Sequence, residues 1–325
     1  MPRVPGARRT SPHKPNGRQP ESISARENHW LKRFRVALEG PSASGEITLG
    51  IEGVRLVEEA LRSDIRVEAV LVSESGRKHL ARILPRIGRE TRLLATSDEL
   101  FNNLAVTETT QGVAAIVWPR RAVFEDLFGV PISRGAQSTD STLIVVLVGV
   151  QDPGNVGTIL RTAEAFGATG VAACRSTSIG TAHVFSPKVV RASAGAAFRL
   201  PVAEGISTSI LQAQLRAAGV RMFAATSSPA DGSAVTPWHA DMSGPIAIFI
   251  GNEGAGLPAD VVQTADERVR IPLAVARGTD GEGVESLNAA SAAAILLYEA
   301  ASQRGGSASN LTNSNMTARR PAESE

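Results

Sequence analysis

Cysteine is nearly absent. Cys174 stands alone among 325 residues, which excludes an intramolecular disulfide framework and any metal site built from several thiolates. It lies inside the apolar run Gly170–Cys174, so it reads as a buried strand residue rather than a nucleophile. Aromatic residues make up only 4% of the chain, with three tryptophans and one tyrosine. That argues against recognition built mainly on stacking single-stranded bases. No stretch of about eighteen apolar residues occurs, so no membrane-spanning helix is expected. The basic amino-terminal end has no apolar segment behind it, so no secretory signal is expected and the cytoplasm is the expected location. The patterns His-x-x-x-His, Cys-x-x-Cys and Gly-x-Ser-x-Gly are missing, and the five histidines (His13, His29, His79, His183, His239) are scattered. Metal sites and serine-nucleophile chemistry therefore have no motif to rest on.

What the chain does have is a hydrophobic content of 42% and a mean hydropathy near zero, enough for a globular core. The net charge of +2 hides an asymmetry. Residues 1–40 hold nine Arg and Lys against three Glu, an excess of six, so the rest of the chain is −4. Such a basic end either neutralises phosphates without sequence preference or serves as a solvated leader. Composition divides the chain into a disordered basic tail over 1–27, an ordered block over 28–120, a linker over 121–141, a second ordered block over 142–302 and a disordered tail over 303–325.

The first block alternates helix and strand signals. Leu56, Val57, Ala60 and Leu61 form an apolar helical stripe, and Val67–Val72 reads as a strand. A helix over Lys78–Gly88, a strand over Thr91–Ala95, a helix opened by Ser97 and a buried strand over Gly112–Val117 follow. In the second block, Leu143–Val148 is apolar at every position, which fits a strand covered on both faces. Further strands are expected at Gly170–Cys174, Arg221–Thr226, Ile246–Ile250 and Arg268–Ile271. Helices are expected at 156–167, 187–195, 206–218, 258–264 and 287–302. The alternation predicts an α/β domain with a parallel sheet, helices on both faces and ligands at the carboxyl ends of the strands. A Rossmann-like site would carry Gly-x-Gly-x-x-Gly after the first strand; Asp152-Pro153-Gly154-Asn155 stands there instead.

Several residues there suit chemistry. Gly154 and Gly157 permit a tight turn and close approach, and Asn155 reads as the cap of the next helix. Val156, Ile159, Leu160, Ala163 and Phe166 share one face of that helix, with Arg161 nearly opposite. Such an arginine either holds a phosphate or ribose or pairs with Glu164. Ser186 and Pro187 start a helix cleanly; its Lys188 and Arg191 suit an RNA face, and Ser193 to Gly195 suit close packing. Gly251, Gly254 and Gly256 keep a loop tight around Glu253, the one acid in it, which serves a ligand or braces the loop. Ser286-Leu287-Asn288 opens an alanine-rich helix.

Taken together, Asn155-Val-Gly157-Thr-Ile-Leu-Arg161, Ile250-Gly251-Asn252-Glu253-Gly254-Ala-Gly256-Leu257-Pro258, and Ile271-Pro272-Leu273 with Glu285-Ser286-Leu287-Asn288 resemble the three motifs of the SpoU (TrmH-like) class of the SPOUT superfamily. The resemblance implies transfer of a methyl group from S-adenosylmethionine (SAM) to a ribose 2′-hydroxyl of rRNA or tRNA, with no metal. It also implies a homodimer and a second block threaded as a deep trefoil knot. By motif position it assigns Arg161, Asn155, Glu253, Ser286 and Asn288 to catalysis, and Gly251, Ile271, Leu273, Leu287 and Asn288 to SAM. Gly50-Ile-Glu-Gly53-Val-Arg55 and Thr107-Glu-Thr-Thr-Gln111-Gly112 look like the ribosomal-protein-like substrate-binding domain that often precedes SpoU domains. RNA contacts are accordingly expected at Arg55, Gln111, Lys188 and Arg191. The chain departs from the pattern in a longer, glycine-rich connection over 273–285, expected to lie over the SAM pocket. That departure keeps open a non-catalytic RNA-binding or ribosome-assembly factor on the same fold.

Overall fold

The computed structural model describes residues 19–40, 48–128, 142–175, 180–227, 233–274 and 284–305. The expected tails therefore fall largely outside the described residues, as do residues 275–283 of the connection expected over 273–285. The chain divides into two compact units with the main boundary between Val117 and Trp118.

The first unit contains β1 (Glu21–Ser22), α1 (His29–Glu39), β2 (Leu49–Glu52), α2 (Val54–Arg62), β3 (Arg66–Ser73), α3 (Leu80–Ile83), β4 (Arg92–Thr96), α4 (Asp98–Asn102) and β5 (Val113–Trp118). Its sheet runs in the order β1-β4-β3-β5-β2. Three features correct the sequence reading. Ordered structure starts before residue 28: β1 pairs with β4, Ile23 is buried, and Thr96 Oγ1 donates to the Ile23 carbonyl at 3.0 Å. Helix α1 was not expected either, because Lys32, Arg33, Arg35 and Glu39 dilute its apolar stripe, yet Leu31, Phe34, Ala37 and Leu38 are all buried. The helix expected over Lys78–Gly88 is broken into a 3-10 turn (Ser75–His79), α3 and a second 3-10 turn (Leu84–Arg86). Pro85 lies in that last turn, and a proline lacks the amide that would continue an α-helix.

The second unit contains β6 (Leu143–Val148), α5 (Pro153–Ala165), β7 (Gly170–Arg175), α6 (Pro187–Ala192), α7 (Ala196–Arg199), β8 (Val202–Ser207), α8 (Thr208–Ala217), β9 (Arg221–Ala225), β10 (Ile246–Ile250), α9 (Ala259–Thr264), β11 (Glu267–Val269) and α10 (Ala289–Gly305). The sheet order is β11-β9-β10-β6-β7-β8, and every pairing along it is parallel. Strand β6 is buried at all six positions and β10 at all five, as their unbroken apolar sequences demand. From β6 the chain steps outward to β7 and β8, then returns on the other side with β9 and β10. The order therefore reverses between β6 and β10, and that seam is where an open parallel sheet offers a crevice at its carboxyl end.

The linker expected over 121–141 is shorter than composition suggested. A 3-10 turn at Phe124–Phe128 belongs to the second unit, with Leu127 fully buried in its core and the Ala122 amide donating to the Val202 carbonyl. Strand β8 was also missed, and residues 206 and 207 were assigned to the following helix. Ser207 ends the strand and caps α8 by accepting from the Ile210 amide. Among the described residues no helix is long and apolar enough to cross a membrane.

Candidate active site

Two loops leave the sheet at the seam, one after β6 and one after β10, and side chains tie them together. Helix α5 is capped by Asp152, whose Oδ1 accepts from the Asn155 amide at 2.7 Å. The cap expected at Asn155 thus falls three residues earlier, because Pro153 fits the first helical position and sets the start. Relieved of capping, the Asn155 side chain turns to the neighbouring loop. Its Nδ2 donates to Glu253 Oε1 at 2.9 Å, and its Oδ1 accepts from Asn288 Nδ2 at 2.9 Å.

Asn288 is fixed in turn. Its Oδ1 accepts from the amides of Ala290 at 2.8 Å and Ser291 at 3.3 Å, which caps α10 and sets the direction of its amide group. The direction propagates from the α10 amides through Asn288 and Asn155 to a carboxylate oxygen of Glu253. Among the described residues, Glu253 Oε2 has two long contacts, from the Gln151 amide and Asn252 Nδ2, both at 3.5 Å. It retains the capacity to accept a further bond.

Asn252, to which the sequence reading gave no role, builds the loop. Its Oδ1 accepts from the Gly254 and Ala255 amides at 2.9 Å, and its Nδ2 donates to the Gly149 carbonyl at 2.9 Å across the seam. An Asn just before a glycine-rich stretch is a readable signal for such a side-chain-closed turn. Asn252 and Gly256 also exchange two backbone hydrogen bonds at 3.0 Å.

Beside this relay, a cavity of about 220 Å³ opens at the carboxyl ends of β9, β10 and β11. Ile271, Leu273, Leu287 and Leu296 give it apolar walls, and Gly251 exposes backbone to it. Thr226, Asn252, Glu253 and Ser286 add polar groups. Gly251, Ile271, Leu273 and Leu287 were expected to hold SAM and line the pocket, and Ser286, expected in catalysis, lines it too; Asn288, expected in both roles, lies in the relay. Thr226, Ala289, Ala292 and Leu296 were not anticipated. The pocket suits SAM in kind: apolar walls and backbone for an adenosyl group, carboxylates for a cationic one. Gly251 shows the tightness of the cradle, since a Cβ there would lie 2.4 Å from the Gly256 carbonyl carbon.

Arg161 is exposed on α5, opposite the buried Val156, Ile159, Leu160 and Ala163, and makes no ion pair among the described residues. The pairing considered with Glu164 is replaced, because Glu164 is held by Arg199. Gly157 is buried where α5 meets α6, and a Cβ there would strike the Val189 carbonyl oxygen at 2.6 Å. Lys188 and Arg191 are exposed on α6. In the first unit Arg55 is exposed, while Gln111 Oε1 accepts from the Val54 amide at 2.9 Å and so holds the start of α2. Cys174 is buried, which pushes its thiol up to about 12; a thiol kept protonated is an inert core residue.

Comparison with known proteins agrees with this geometry. Residues 142–298 match the SpoU rRNA Methylase family, and residues 46–115 match the MRM3-like substrate binding domain. The chain is 32% identical over 278 residues to the 23S rRNA (guanosine(2553)-2′-O)-methyltransferase RlmP of Bacillus subtilis, covering 86% of this chain and 98% of that one. It is 32% identical to the 23S rRNA (guanosine-2′-O-)-methyltransferase RlmB of Xylella fastidiosa, covering 78% and 96%. Among solved structures, the SpoU methyltransferase AviRb of Streptomyces viridochromogenes in complex with AdoMet superposes with a TM-score of 0.67 at 29% identity, covering 86% of this chain and 98% of that one. With residues 142–298 matched by the family and a relative 32% identical aligned over 98% of its length, this chain is a member of the SpoU rRNA methylase family.

Proposed function

We propose that this protein is an RNA methyltransferase that uses SAM to methylate a ribose 2′-hydroxyl of ribosomal or transfer RNA in the cytoplasm. The observation that carries the reading is the relay Asn288–Asn155–Glu253, which joins three motifs distant in sequence at the rim of one pocket. Gly251, Ile271, Leu273 and Leu287 would hold SAM, and when bound it supplies a methyl group already activated on a positive sulfonium. The protein then has to hold a ribose oxygen in line and manage its proton. Arg161 offers a guanidinium, a fixed fork of donors with no acceptor. Its role is to steady the negative charge that develops on the oxygen. Glu253, oriented by Asn155, accepts a hydrogen bond from the substrate through Oε2. Ser286, on the pocket wall, adds a hydroxyl near the same rim.

The reading extends to a homodimer and to a knotted chain over the second and third motifs. A dimer is supported by the outward side of α10, where Ile295 and Tyr298 are 40% and 60% exposed, and by adjoining α5, where Thr158 and Ala165 are exposed. Phe166 and Tyr298 meet edge to face there. Light scattering that reports a monomer would remove the dimer from the proposal.

The test is transfer of label from radioactive SAM to total rRNA and tRNA from cells lacking this protein, followed by nuclease mapping. Label in a 2′-O-methylated nucleotide is the expected result. Folded protein that labels neither pool would overturn the activity.

A further inference from the structure

Outside the pocket, one surface of the first unit is strongly charged and has no assigned role. Residues 77–92 carry six Arg and Lys against a single Glu, in a chain whose total charge is only +2. Arg77, Lys78, Arg82 and Arg86 sit on the broken helical ramp formed by the two 3-10 turns and α3, Arg89 lies just beyond it, and Arg92 opens β4 and pairs with Glu21. The charges of Lys78 and Arg82 both reach His79 and those of Arg82 and Arg86 both reach Glu58, so the three lie close together along it. Arg86 Nη1 donates to the Arg82 carbonyl at 3.2 Å, which keeps the row together.

Only Arg82 in that row is matched by an acid. It grips Glu58 with two hydrogen bonds, at 2.8 and 2.6 Å. Arg77, Lys78, Arg86 and Arg89 are exposed and form no ion pair among the described residues. Neighbouring groups register the crowding. The Arg82 hydrogen bond holds the Glu58 carboxyl below its ordinary range, with the charges of Arg82, Arg62 and Arg86 adding to it. Burial lowers His79, and the charges of Lys78 and Arg82 lower it further. Like charges at i and i+4 weaken a helix, and a surface needing only solubility does better with interspersed signs. Exposed cations without acidic partners, crowded around Arg82 on a broken helix, are a stability cost that an anionic ligand would relieve.

We propose that the row Lys78–Arg82–Arg86, with Arg77 and Arg89 beside it, binds the phosphodiester backbone of the substrate RNA. Contacts of this kind fix position and register without reading bases. The inference rests on the RNA methyltransferase reading and deepens it, by naming the chemistry through which the first unit grips the substrate.

The test uses the full chain with Lys78→Gln, Arg86→Gln and Arg89→Gln combined. Arg82 is left in place because it holds Glu58. Binding of a fluorescein-labelled ribosomal RNA fragment is followed by anisotropy across a salt series. Each lost phosphate contact lowers the slope of log K against log salt by about 0.7–0.9, so the triple variant should lose about 2–3 from that slope. In the transfer assay KM for RNA should rise at least tenfold, with kcat and SAM affinity unchanged. If the triple variant's melting curve broadens, the single Lys78→Glu variant carries the same measurements. An unchanged slope and KM would overturn the proposal, as would tighter binding of poly-glutamate than of RNA, which would reassign the row to an acidic protein. If the wild type methylates RNA and the variant matches it in slope and KM, the row fails and the activity stands. If the wild type methylates nothing but binds RNA with a slope the variant loses, the activity fails and the row stands.

Discussion

Replacing Gly251 with alanine should empty the cofactor pocket while leaving the sheet folded. An ideal Cβ on Gly251 would lie 2.4 Å from the Gly256 carbonyl carbon, 2.5 Å from the Leu257 nitrogen and 2.6 Å from the Gly256 oxygen. Carbon atoms in ordinary contact sit about 3.5–4.0 Å apart, so the far limb of the loop has to retreat by roughly 1 Å. It is not free to do so. Asn252 and Gly256 exchange two backbone hydrogen bonds, and the Asn252 side chain ties the same loop to Gly149, Gly254 and Ala255. Losing the backbone pair, at about 0.5–1.5 kcal/mol each, and one side-chain tie of similar size gives about 1.5–4.5 kcal/mol. At 1.4 kcal/mol per factor of ten, SAM binding measured by calorimetry should weaken roughly 10- to 1,600-fold. Strand β10, buried from Ile246 to Ile250, lies before the clash, so cooperative melting should persist. A Gly251→Ala variant that binds SAM within about threefold of wild type would refute the reasoning, since the loop would then have yielded at no cost.

Arg161→Ala removes an exposed side chain with no ion pair among the described residues, so stability should stay within about 0.5 kcal/mol. SAM affinity should hold while transfer falls by about a hundredfold or more; activity near wild type would remove its assigned role. Asn288→Ala strips the α10 cap, at about 1 kcal/mol, and releases the Asn155 amide. Asn288→Ser restores a cap but does not reach Asn155, so it should recover the melting temperature and not the transfer rate; joint recovery would show the relay to be idle. Arg82→Ala leaves the buried Glu58 without its partner. Arg82 is 55% exposed, so solvent screening reduces the usual cost of a broken buried pair to about 1–3 kcal/mol. Because the Glu58 carboxyl is depressed, this contribution is complete above the ordinary carboxylate range and is lost as pH falls through the depressed value. Urea unfolding at pH 7 and pH 3 should show the gap between wild type and variant closing at the lower pH.

Strands β6, β9 and β10 were legible because burial on both faces demands unbroken apolar sequence, and length then separates a strand from a helix. Strand β8 was not, because Glu204 and Gly205 interrupt it; the structure spends Glu204 on the Val184 amide and gives Gly205 a φ of +79°. Helix α1 was hidden by its own charges. The basic row along α3 and its flanking 3-10 turns was hidden by averaging, since the first block reads as an unremarkable mixture until Glu58 is seen to claim Arg82. At the site, glycines and caps were readable because their signals are local. What each polar side chain touches was not: Asn155 looks like a cap until Asp152 fills that place, and its bond to Asn288 spans 133 positions.

The strand order explains why these distant residues meet where they do. Only β6 and β10 flank the point of reversal, so the loops after them, carrying Gly149 to Asn155 and Gly251 to Glu253, are the pair of loops that border the seam. The pocket walls come instead from the ends of β9, β10 and β11 and the first turns of α10. The pocket proposed for the cofactor and the relay proposed for the substrate are therefore laid side by side along one sheet edge, with the β10 loop common to both. Substitutions at Ile271, Leu273 or Leu287 should act first on SAM affinity, and those at Asn155 or Arg161 on the transfer step. Glu253, on the shared loop, is the position where the two effects should be inseparable.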